Sequence, residues 1–393
     1  MEAATTAVRR RPAWLAALLP VAILAAAIGL FVALDAPGLD RIGVPQEELA
    51  VERSVLRPGE IELHLRNDGA DPVRVEQAIV NDGFAAFTQS DEEIGRLGAA
   101  EVTVRYPWIE GQAYEVLLLT ATGATIDHAI DAAVETPDAD LGFYGLMALI
   151  GLYVGVIPVA IGMLWLPWVR TMDPRWMGFL LAFTMGLLAF LGIDALLEGT
   201  ELAGEGAAAL GGAGLVWLGA VGAYLILAGV DAWLAQRTRG ADGLGVHAAF
   251  LVALGIGLHN LGEGLAIGSA YAVGSLALGA ALIVGFALHN TTEGLAIVAP
   301  VARSEAPRVR TLVVLGLLAG APAIVGAWIG ASAFNPSLAA LMFGVGAGAI
   351  ARVIVQIGRQ MRRGEGEALT PGVAGGLLLG LVVMYGTGLL VSV

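Results

Sequence analysis

The chain has 393 residues, of which 57% are hydrophobic and 14% are charged, and because soluble globular proteins have about 25% charged residues, this composition excludes that class. Cysteine is absent, which excludes disulfide bonds, thiolate metal sites and cysteine nucleophiles. The net charge of −14 arises in one segment, since residues 35–140 hold 22 Asp and Glu against 7 Arg, and this acidity argues against nucleic acid as a partner.

The first predicted element is a membrane anchor. An Arg cluster at 9–11 precedes an apolar run from Trp14 to Leu34. The run is longer than the roughly 7–15 apolar residues of a signal-peptide core. Residues 1–40 are therefore interpreted as a cytoplasmic Arg cluster and an uncleaved signal-anchor helix, with a cleaved signal peptide as the alternative. Because Arg clusters stay in the cytoplasm, the chain that follows is expected outside.

Residues 41–138 are predicted to form a small extracytoplasmic β-sandwich-like domain. In the stretch EIELHLRN (60–67), apolar and polar residues alternate strictly, which is typical of a half-buried strand. The turn sequence NDGADP follows, and PVRVEQAIV, AEVTVRYPW and AYEVLLLTATG are predicted as further strands. The stretch RPGEIELHLRNDGADPV is weakly similar to cupredoxin-like or immunoglobulin-like domains. The copper-ligand cysteine of cupredoxins is missing, so no copper site is expected.

Eight apolar segments follow, and each is long enough to cross a membrane as a helix. They span approximately 141–169, 176–197, 211–234, 247–271, 276–300, 311–332, 337–358 and 371–392. Alternate loops, beginning with PWVRTMDPRW, carry Arg, whereas the opposite loops carry none. The positive-inside rule then places the β domain and the C-terminus outside. The predicted architecture is an all-α polytopic membrane protein of eight helices plus the N-terminal anchor helix, with a small all-β extracytoplasmic domain.

Two similar polar motifs, HNLGEG and HNTTEG, interrupt the fourth and fifth apolar segments. Residues four apart lie on one face of a helix, so His259 stacks with Glu263 and His289 stacks with Glu293. The two helices run antiparallel because only the short loop AYAVGS separates them. Both motifs lie near mid-membrane, so the four side chains can meet at one depth and surround a single ion.

Asn260 and Asn290 lie on the adjacent face of each helix and add amide oxygens, although they could instead hold neighbouring helices together. An ionisable group near the bilayer centre costs about 2.5–3.5 kcal/mol, so two glutamates at this depth require compensation. Imidazole suits zinc and other transition ions, while carboxylate and amide oxygens suit harder ions. The two motifs therefore predict an intramembrane site for a divalent cation.

The sequences HNLGEGLA and HNTTEGLA resemble the paired HNxxEG signatures on the fourth and fifth helices of the ZIP (Zrt/Irt-like) metal transporters. The resemblance covers residues 141–393 and implies an eight-helix ZIP-like metal transport domain with both ends outside. It implies a metal flux toward the cytoplasm and a metal site formed by His259, Asn260, Glu263, His289, Asn290 and Glu293. It also implies that helices one, four, five and six move against the others in an elevator-like alternating access.

Four positions depart from the family pattern. Gly262 and Thr292 stand where many members carry Pro before the motif Glu, and Gly320 stands where many carry a glutamate on helix six. Gln356 replaces a frequent glutamate of helix seven, so one dominant metal site is expected. Gln356 and Asp194 are weaker candidates for the transport pathway. The alternatives are an interhelical hydrogen bond for Gln356 and an interfacial charge for Asp194.

The sequence thus predicts a multi-pass protein of the plasma or inner membrane that moves a divalent metal ion into the cytoplasm. It predicts no enzymatic activity and no prosthetic group. Zinc is the favoured ion, with iron, manganese and cadmium as alternatives. The expected partners are the metal ion and the lipid bilayer, and no nucleic acid is expected. Whether two copies of the chain form a homodimer is left as an open alternative. The competing hypotheses are a membrane-embedded metal-dependent hydrolase, which would need a metal-activated water and a general base, and a metal receptor.

Overall fold

The computed structural model describes residues 23–27, 29–30, 47–130, 132–138, 140–237, 241–272, 276–302, 307–333, 335–365 and 370–391. The chain divides into two compact units, Met1–Pro45 and Gln46–Val393. In the first unit, residues 23–27 and 29–30 are helical and their side chains are exposed. The Arg cluster and the rest of the predicted anchor lie outside the described residues.

The second unit begins with a seven-stranded antiparallel sheet. Its strands are β1 (Leu49–Arg57), β2 (Glu60–Asn67), β3 (Val75–Val80), β4 (Gly83–Gln89), β5 (Ala99–Arg105), β6 (Tyr114–Thr120) and β7 (Thr125–Ile130). They are hydrogen-bonded in the order β1-β2-β5-β4-β3-β6-β7. Contacts between the edge strands β1 and β7 make the sheet nearly closed. The prediction of a β domain is therefore confirmed, and its strands form one continuous sheet around an apolar core.

Local sequence explains how this sheet forms. In β2, Ile61, Leu63 and Leu65 are buried, whereas the residues between them are partly exposed. The alternation therefore places one face of the strand on the core. At the β3–β4 turn, Asn81 and Asp82 have φ values of 46° and 65°. Positive φ at both positions is the geometry of a two-residue type I′ hairpin, which Asn and Asp tolerate well.

Helices form the remainder of the second unit. They are α1 (Leu141–Gly151), α2 (Ile157–Met163), α3 (Leu166–Val169), α4 (Pro174–Glu205), α5 (Ala213–Arg237), α6 (Ala241–Ala272), α7 (Leu276–Val298), α8 (Val309–Gly320), α9 (Pro322–Ala333), α10 (Pro336–Glu365) and α11 (Pro371–Val391). A π-helical segment, Leu152–Val156, joins α1 to α2. The predicted sixth segment is two helices, α8 and α9, because Pro322 has no N–H with which to continue the helical hydrogen bonds.

Seven stretches within the described residues are long and apolar enough to cross a membrane. They are Leu141–Val169, Arg175–Gly204, Ala213–Trp233, Gly245–Tyr271, Leu282–Val301, Val309–Ser332 and Pro336–Arg359. Helix α11 adds a shorter apolar stretch, Pro371–Gly386. The prediction of a helical, multi-pass membrane protein that also has a β domain is confirmed at this level.

The β domain adjoins one end of the helices. The backbone N–H of Ala208, which follows α4, donates to the carboxylate of Asp68 (2.8 Å) in the turn after β2. Arg57, at the end of β1, pairs with Asp138 (3.0 Å), just before α1. The start of α1 and the end of α4 therefore lie at the same end of the helices, the β-domain side. The other ends of these helices define the opposite side.

Glycine contacts divide the long helices into two groups. The motif group contains α1, the π-helical segment, α2 and α6 to α9, and it carries both polar motifs. The frame group contains α4, α5, α10 and α11. A Cβ placed on Gly264 of α6 would lie 2.9 Å from Cα of Ala323 on α9. A Cβ placed on Gly294 of α7 would lie 2.9 Å from Cα of Gly162 on α2. Backbones in the motif group therefore touch where only glycine fits.

The frame group is tied together in the same way, because a Cβ on Gly344 of α10 would lie 2.9 Å from Cα of Val216 on α5. The main contact between the two groups is α6 against α10. There, a Cβ on Gly346 would have its nearest atom, Cα of His259, at an ordinary 3.5 Å. At Gly255, a Cβ would overlap the side chain of Val353, while the nearest backbone atom of α10 would be 3.4 Å away. At these two glycines the backbones of the two groups therefore lie farther apart than the backbones that touch inside each group.

Candidate metal site within the helices

The polar residues of both motifs lie together inside the motif group. Helix α6 carries the first motif and the antiparallel helix α7 carries the second. All six side chains are buried, namely His259, Asn260, Glu263, His289, Asn290 and Glu293. The two motifs therefore occupy one interior position that neither helix could form alone.

Three of the potential ligands are in direct contact. One ring nitrogen each of His259 and His289 and one carboxylate oxygen of Glu263 lie within 4.8 Å of one another. Oε1 of Glu263 is 3.0 Å from Nε2 of His259, and the same oxygen contacts Nε2 of His289. The centroids of the two imidazole rings are 6.2 Å apart. Glu263 therefore links the two helices and stands between the two histidines.

Backbone carbonyls orient both motif asparagines. Nδ2 of Asn260 donates to the carbonyl of Ala319 (3.0 Å). Nδ2 of Asn290 donates to the carbonyl of Val154 (3.1 Å) and to Glu263 (3.0 Å). Since the NH₂ end of each amide faces an acceptor, its oxygen is directed elsewhere. Neither amide oxygen has a hydrogen-bond partner among the described residues, so both oxygens are available as ligands.

A proline follows each of these carbonyls closely along the chain, and neither proline was predicted to have a role at the site. Pro158 follows Val154 by four residues and has no N–H to donate to that carbonyl. The same region is π-helical, a feature often found at functional positions. Pro322 begins α9 three residues after Ala319, where the helical hydrogen bonds are interrupted. The stretches VGVIP and AGAP contain this signal.

Unpaired polar atoms are concentrated at the site. Within the described part of the chain, eight buried side-chain nitrogen or oxygen atoms have no hydrogen-bond partner. Five of them belong to the motifs, namely Nε2 of His259, Oδ1 of Asn260, Oδ1 of Asn290 and both carboxylate oxygens of Glu293. Nε2 of His259 has Oε1 of Glu263 as an ion-pair neighbour at 3.0 Å, although the contact is outside hydrogen-bond geometry. Leaving a buried polar atom unpaired costs about 1–3 kcal/mol, and more for a charged group. All five atoms can offer a lone pair to a cation.

A cavity of about 410 Å³ reaches this position from the β-domain side. His259 and Glu263 line its inner end. Farther out, it is lined by Ala266 and Ala270 on successive turns of α6 and by Leu282 near the start of α7. The cavity therefore connects two of the motif ligands with the β-domain side of the helices.

Apolar side chains are packed against the site on the opposite side. The residues that follow the second motif, including Leu295, Ile297 and Val298, are buried in the largest hydrophobic cluster. Ile256 of α6 and Val353 of α10 belong to the same cluster. In this conformation the motif ligands therefore have a cavity on one side and a packed core on the other.

The two weaker candidates for the pathway have different positions. Asp194, on α4 of the frame group, lines the cavity and interacts electrostatically with His259 and His289. Glu198, one turn farther along α4, also lines the cavity. Gln356 is not among the described residues that line it. The frame group thus contributes carboxylates to the cavity wall opposite the motif group.

A second buried group of charges, centred on Asp231 of α5, lies toward the opposite side. Arg352 of α10 is buried and pairs with Asp231, and the guanidinium carbon of Arg352 is 5.9 Å from the centre of the Tyr224 ring. Nε2 of His247, on α6, is 3.1 Å from Asp231. Asp231 therefore balances a buried cation of the frame group and also contacts the motif group. The sequence patterns did not predict this pairing, although an Asp near the end of an apolar segment is a visible signal.

Comparison of the sequence with protein-family models and with curated proteins finds no match. The functional conclusion therefore depends on the chemistry of the site and on the two motifs. The similarity of those motifs to the ZIP signatures stays a prediction.

Proposed function

We propose that the protein is a membrane carrier of divalent metal cations, with zinc as the favoured cargo, and that it is not an enzyme. The observation that carries this proposal is the set of five buried ligand atoms that have no hydrogen-bond partner, which belong to His259, Asn260, Asn290 and Glu293. Folded proteins pair nearly all of their buried polar atoms. A cation bound among the motif side chains would satisfy these atoms together, and this supports metal binding as their purpose.

The chemistry of the six side chains favours a doubly charged ion. With neutral histidines, the two glutamates give the site a formal charge of −2, which one divalent cation would balance. Imidazole nitrogen combined with carboxylate oxygen suits zinc and its transition-metal neighbours. Thiolate and thioether ligands, which select Cu(I), are absent from this set. Iron, manganese and cadmium stay as alternative cargoes.

The division into two helix groups supports transport by alternating access. All six motif residues belong to the motif group, and so do the carbonyls of Val154 and Ala319 that orient the asparagines. A shift of the motif group along the frame group would therefore carry the ligands as one set. Asp194, on the frame group, would stay behind in the cavity wall. At Gly255 and Gly346 the boundary between the groups is formed without the close backbone contacts found inside each group, which favours movement at that boundary.

The proposed direction is import across the plasma or inner membrane, as the ZIP resemblance implies. The β-domain side would face outward and the opposite side would face the cytoplasm. Support comes from the basic residues, because Arg170 and Arg175 flank the turn between α3 and α4 on the opposite side. The positive-inside rule favours that side as cytoplasmic.

Metal uptake into sealed vesicles tests this function. The purified protein would be reconstituted into liposomes that contain a fluorescent zinc indicator, and zinc would be added outside. We expect wild-type protein to produce a signal well above that of protein-free vesicles, and Glu263→Gln and His289→Ala to reduce the rate to the protein-free level. Glu201→Gln, which changes an exposed glutamate of α4, serves as the matched control and should retain uptake.

Two outcomes would overturn the proposal. One is a wild-type rate equal to that of protein-free vesicles in a preparation that is folded and correctly inserted. The other is uptake by both site variants at the wild-type rate. A hydrolase that uses the same residues would not accumulate zinc inside sealed vesicles, so the assay also separates the two hypotheses.

A further inference from the structure

A second set of metal-ligating side chains lies on the β domain, far along the chain from the two motifs. Glu62 and His64 are two residues apart on β2, so they project from the same face of the sheet. Glu101 on β5 is directly paired with His64 in the strand register. One ligand atom from each of the three residues lies within 4.8 Å of the others. Nε2 of His64 is 2.8 Å from Oε1 of Glu62.

The sheet holds these three side chains in place while leaving them accessible. The residues that flank them on β2, Ile61, Leu63 and Leu65, are buried in the core of the β domain, so the backbone of the strand is anchored from behind. The side chains of Glu62 and His64 retain 19% and 40% of their exposure, and Glu101 is exposed. An ion could therefore reach the group from solvent without a rearrangement of the strands.

The local charge remains attractive to a divalent cation. Arg53 on β1 is paired with His64 on its other side and interacts electrostatically with Glu62. With His64 neutral, two carboxylates and one guanidinium leave a formal charge of −1. Two neighbouring cations on this face, Arg57 and Arg66, pair with Asp138 and Glu52, so their charges are already balanced.

We propose that Glu62, His64 and Glu101 form a binding site for one divalent transition-metal ion on the β domain. One imidazole nitrogen and two carboxylate oxygens are ligands that zinc and its neighbours accept, with water in the remaining positions. Three protein ligands at a surface give an exchangeable ion, in contrast to a closed four-ligand structural site. Arg53 also interacts electrostatically with Tyr144 of α1, so the site lies on the part of the sheet that approaches the helices.

The test uses the full chain in detergent micelles. Zinc stoichiometry would be measured by equilibrium dialysis for wild type, His64→Ala, Glu101→Gln and His128→Ala. His128, on β7 of the same domain, is the matched control because it belongs to no such group within the described part of the chain. We expect His64→Ala and Glu101→Gln each to lose one bound zinc ion per chain relative to wild type, and His128→Ala to lose none. Circular dichroism checks that each variant is folded.

A second measurement identifies the ligand itself. In protein with ¹³C-labelled histidines, substoichiometric Co²⁺ should broaden or shift the His64 resonance and leave the His128 resonance unchanged. The site is refuted if His64→Ala binds as many zinc ions as wild type, or if Co²⁺ leaves the His64 resonance unaffected. Because Glu263→Gln changes only the intramembrane site, the zinc ion lost through His64→Ala can also be measured in protein that carries Glu263→Gln. A failure of the proposed transport function would therefore not conceal this result.

Discussion

Gly262 and Gly264 are two residues apart on α6, yet they have different surroundings. A Cβ on Gly264 would lie 2.9 Å from Cα and 2.8 Å from the carbonyl carbon of Ala323. A Cβ on Gly262 would have no atom of the described residues within 4 Å. The same substitution, to alanine, should therefore have opposite effects on stability at the two positions.

The contacts indicate the size of each effect. At Gly264 the obstacle is backbone, so α6 and α9 must separate, and overpacking of this kind costs about 1–3 kcal/mol. Alanine has a better helix propensity than glycine by about 1 kcal/mol, which offsets part of that cost. We expect Gly264→Ala to be less stable than wild type by about 1–2 kcal/mol, since the backbone contact places the cost in the upper part of its range. We expect Gly262→Ala to be more stable by up to about 1 kcal/mol.

Thermal unfolding in detergent, followed by tryptophan fluorescence, measures this difference. About 1 kcal/mol corresponds to about 2–4 °C in Tm for a domain of about 150–250 residues, and to a smaller shift for a larger one. Gly264→Ala should therefore have a Tm several degrees below that of Gly262→Ala, with wild type between them. If both variants shift in the same direction, or if Gly264→Ala is as stable as wild type, the close contact between α6 and α9 is wrong.

Three further predictions concern other parts of the molecule. Asp231→Asn should destabilise the protein by about 3 kcal/mol, because it leaves the buried guanidinium of Arg352 without its anion. In thermal unfolding, the double variant Asp231→Asn with Arg352→Gln should recover much of this loss. A double variant that is no more stable than Asp231→Asn alone would contradict the pairing. Burial lowers the pKa of His128 below its usual 6.5, so the unfolded chain binds the proton more readily and folding stability should fall as the pH drops below about 6.5. His128→Gln should remove that part of the pH dependence, whereas identical pH profiles for the two proteins would argue against it. The chain contains no cysteine, so a single introduced cysteine can be labelled selectively. Ala266→Cys in the cavity wall should react with a membrane-impermeant thiol reagent added from the β-domain side, and zinc should protect it, whereas the buried Ala296→Cys should not react. Equal labelling of the two variants would contradict the cavity.

Short-range patterns predicted those parts of the structure that depend on nearby residues. The alternation in β2 determined its buried face, and the spacing of four residues placed His259 beside Glu263 on one helix. The short loop between the fourth and fifth segments was enough to predict that the two motifs meet. In contrast, β4 reads GFAAFTQ, in which apolar residues are consecutive, so the sequence did not show that Ala85 and Phe87 are the two that pack against the core.

Long-range packing could not be predicted in this way. Gly264 and Gly294 follow the motif glutamates, and sequence alone left open whether a neighbouring helix or the ion approaches them. The structure shows neighbouring backbones, from α9 at Gly264 and from α2 at Gly294. The pairing of Arg352 with Asp231 joins residues 121 positions apart. Such contacts depend on which helices pack together, and helical periodicity does not determine this.

Zinc K-edge X-ray absorption on the purified protein, loaded with one equivalent of zinc, examines whether both helices hold a single ion. The His64→Ala background removes the proposed β-domain site from the signal. We predict a shell of nitrogen and oxygen neighbours with scattering from two imidazoles per zinc, and scattering from one imidazole after either His259→Ala or His289→Ala. A shell without imidazole, or a spectrum that neither histidine substitution changes, would contradict a metal site shared by α6 and α7.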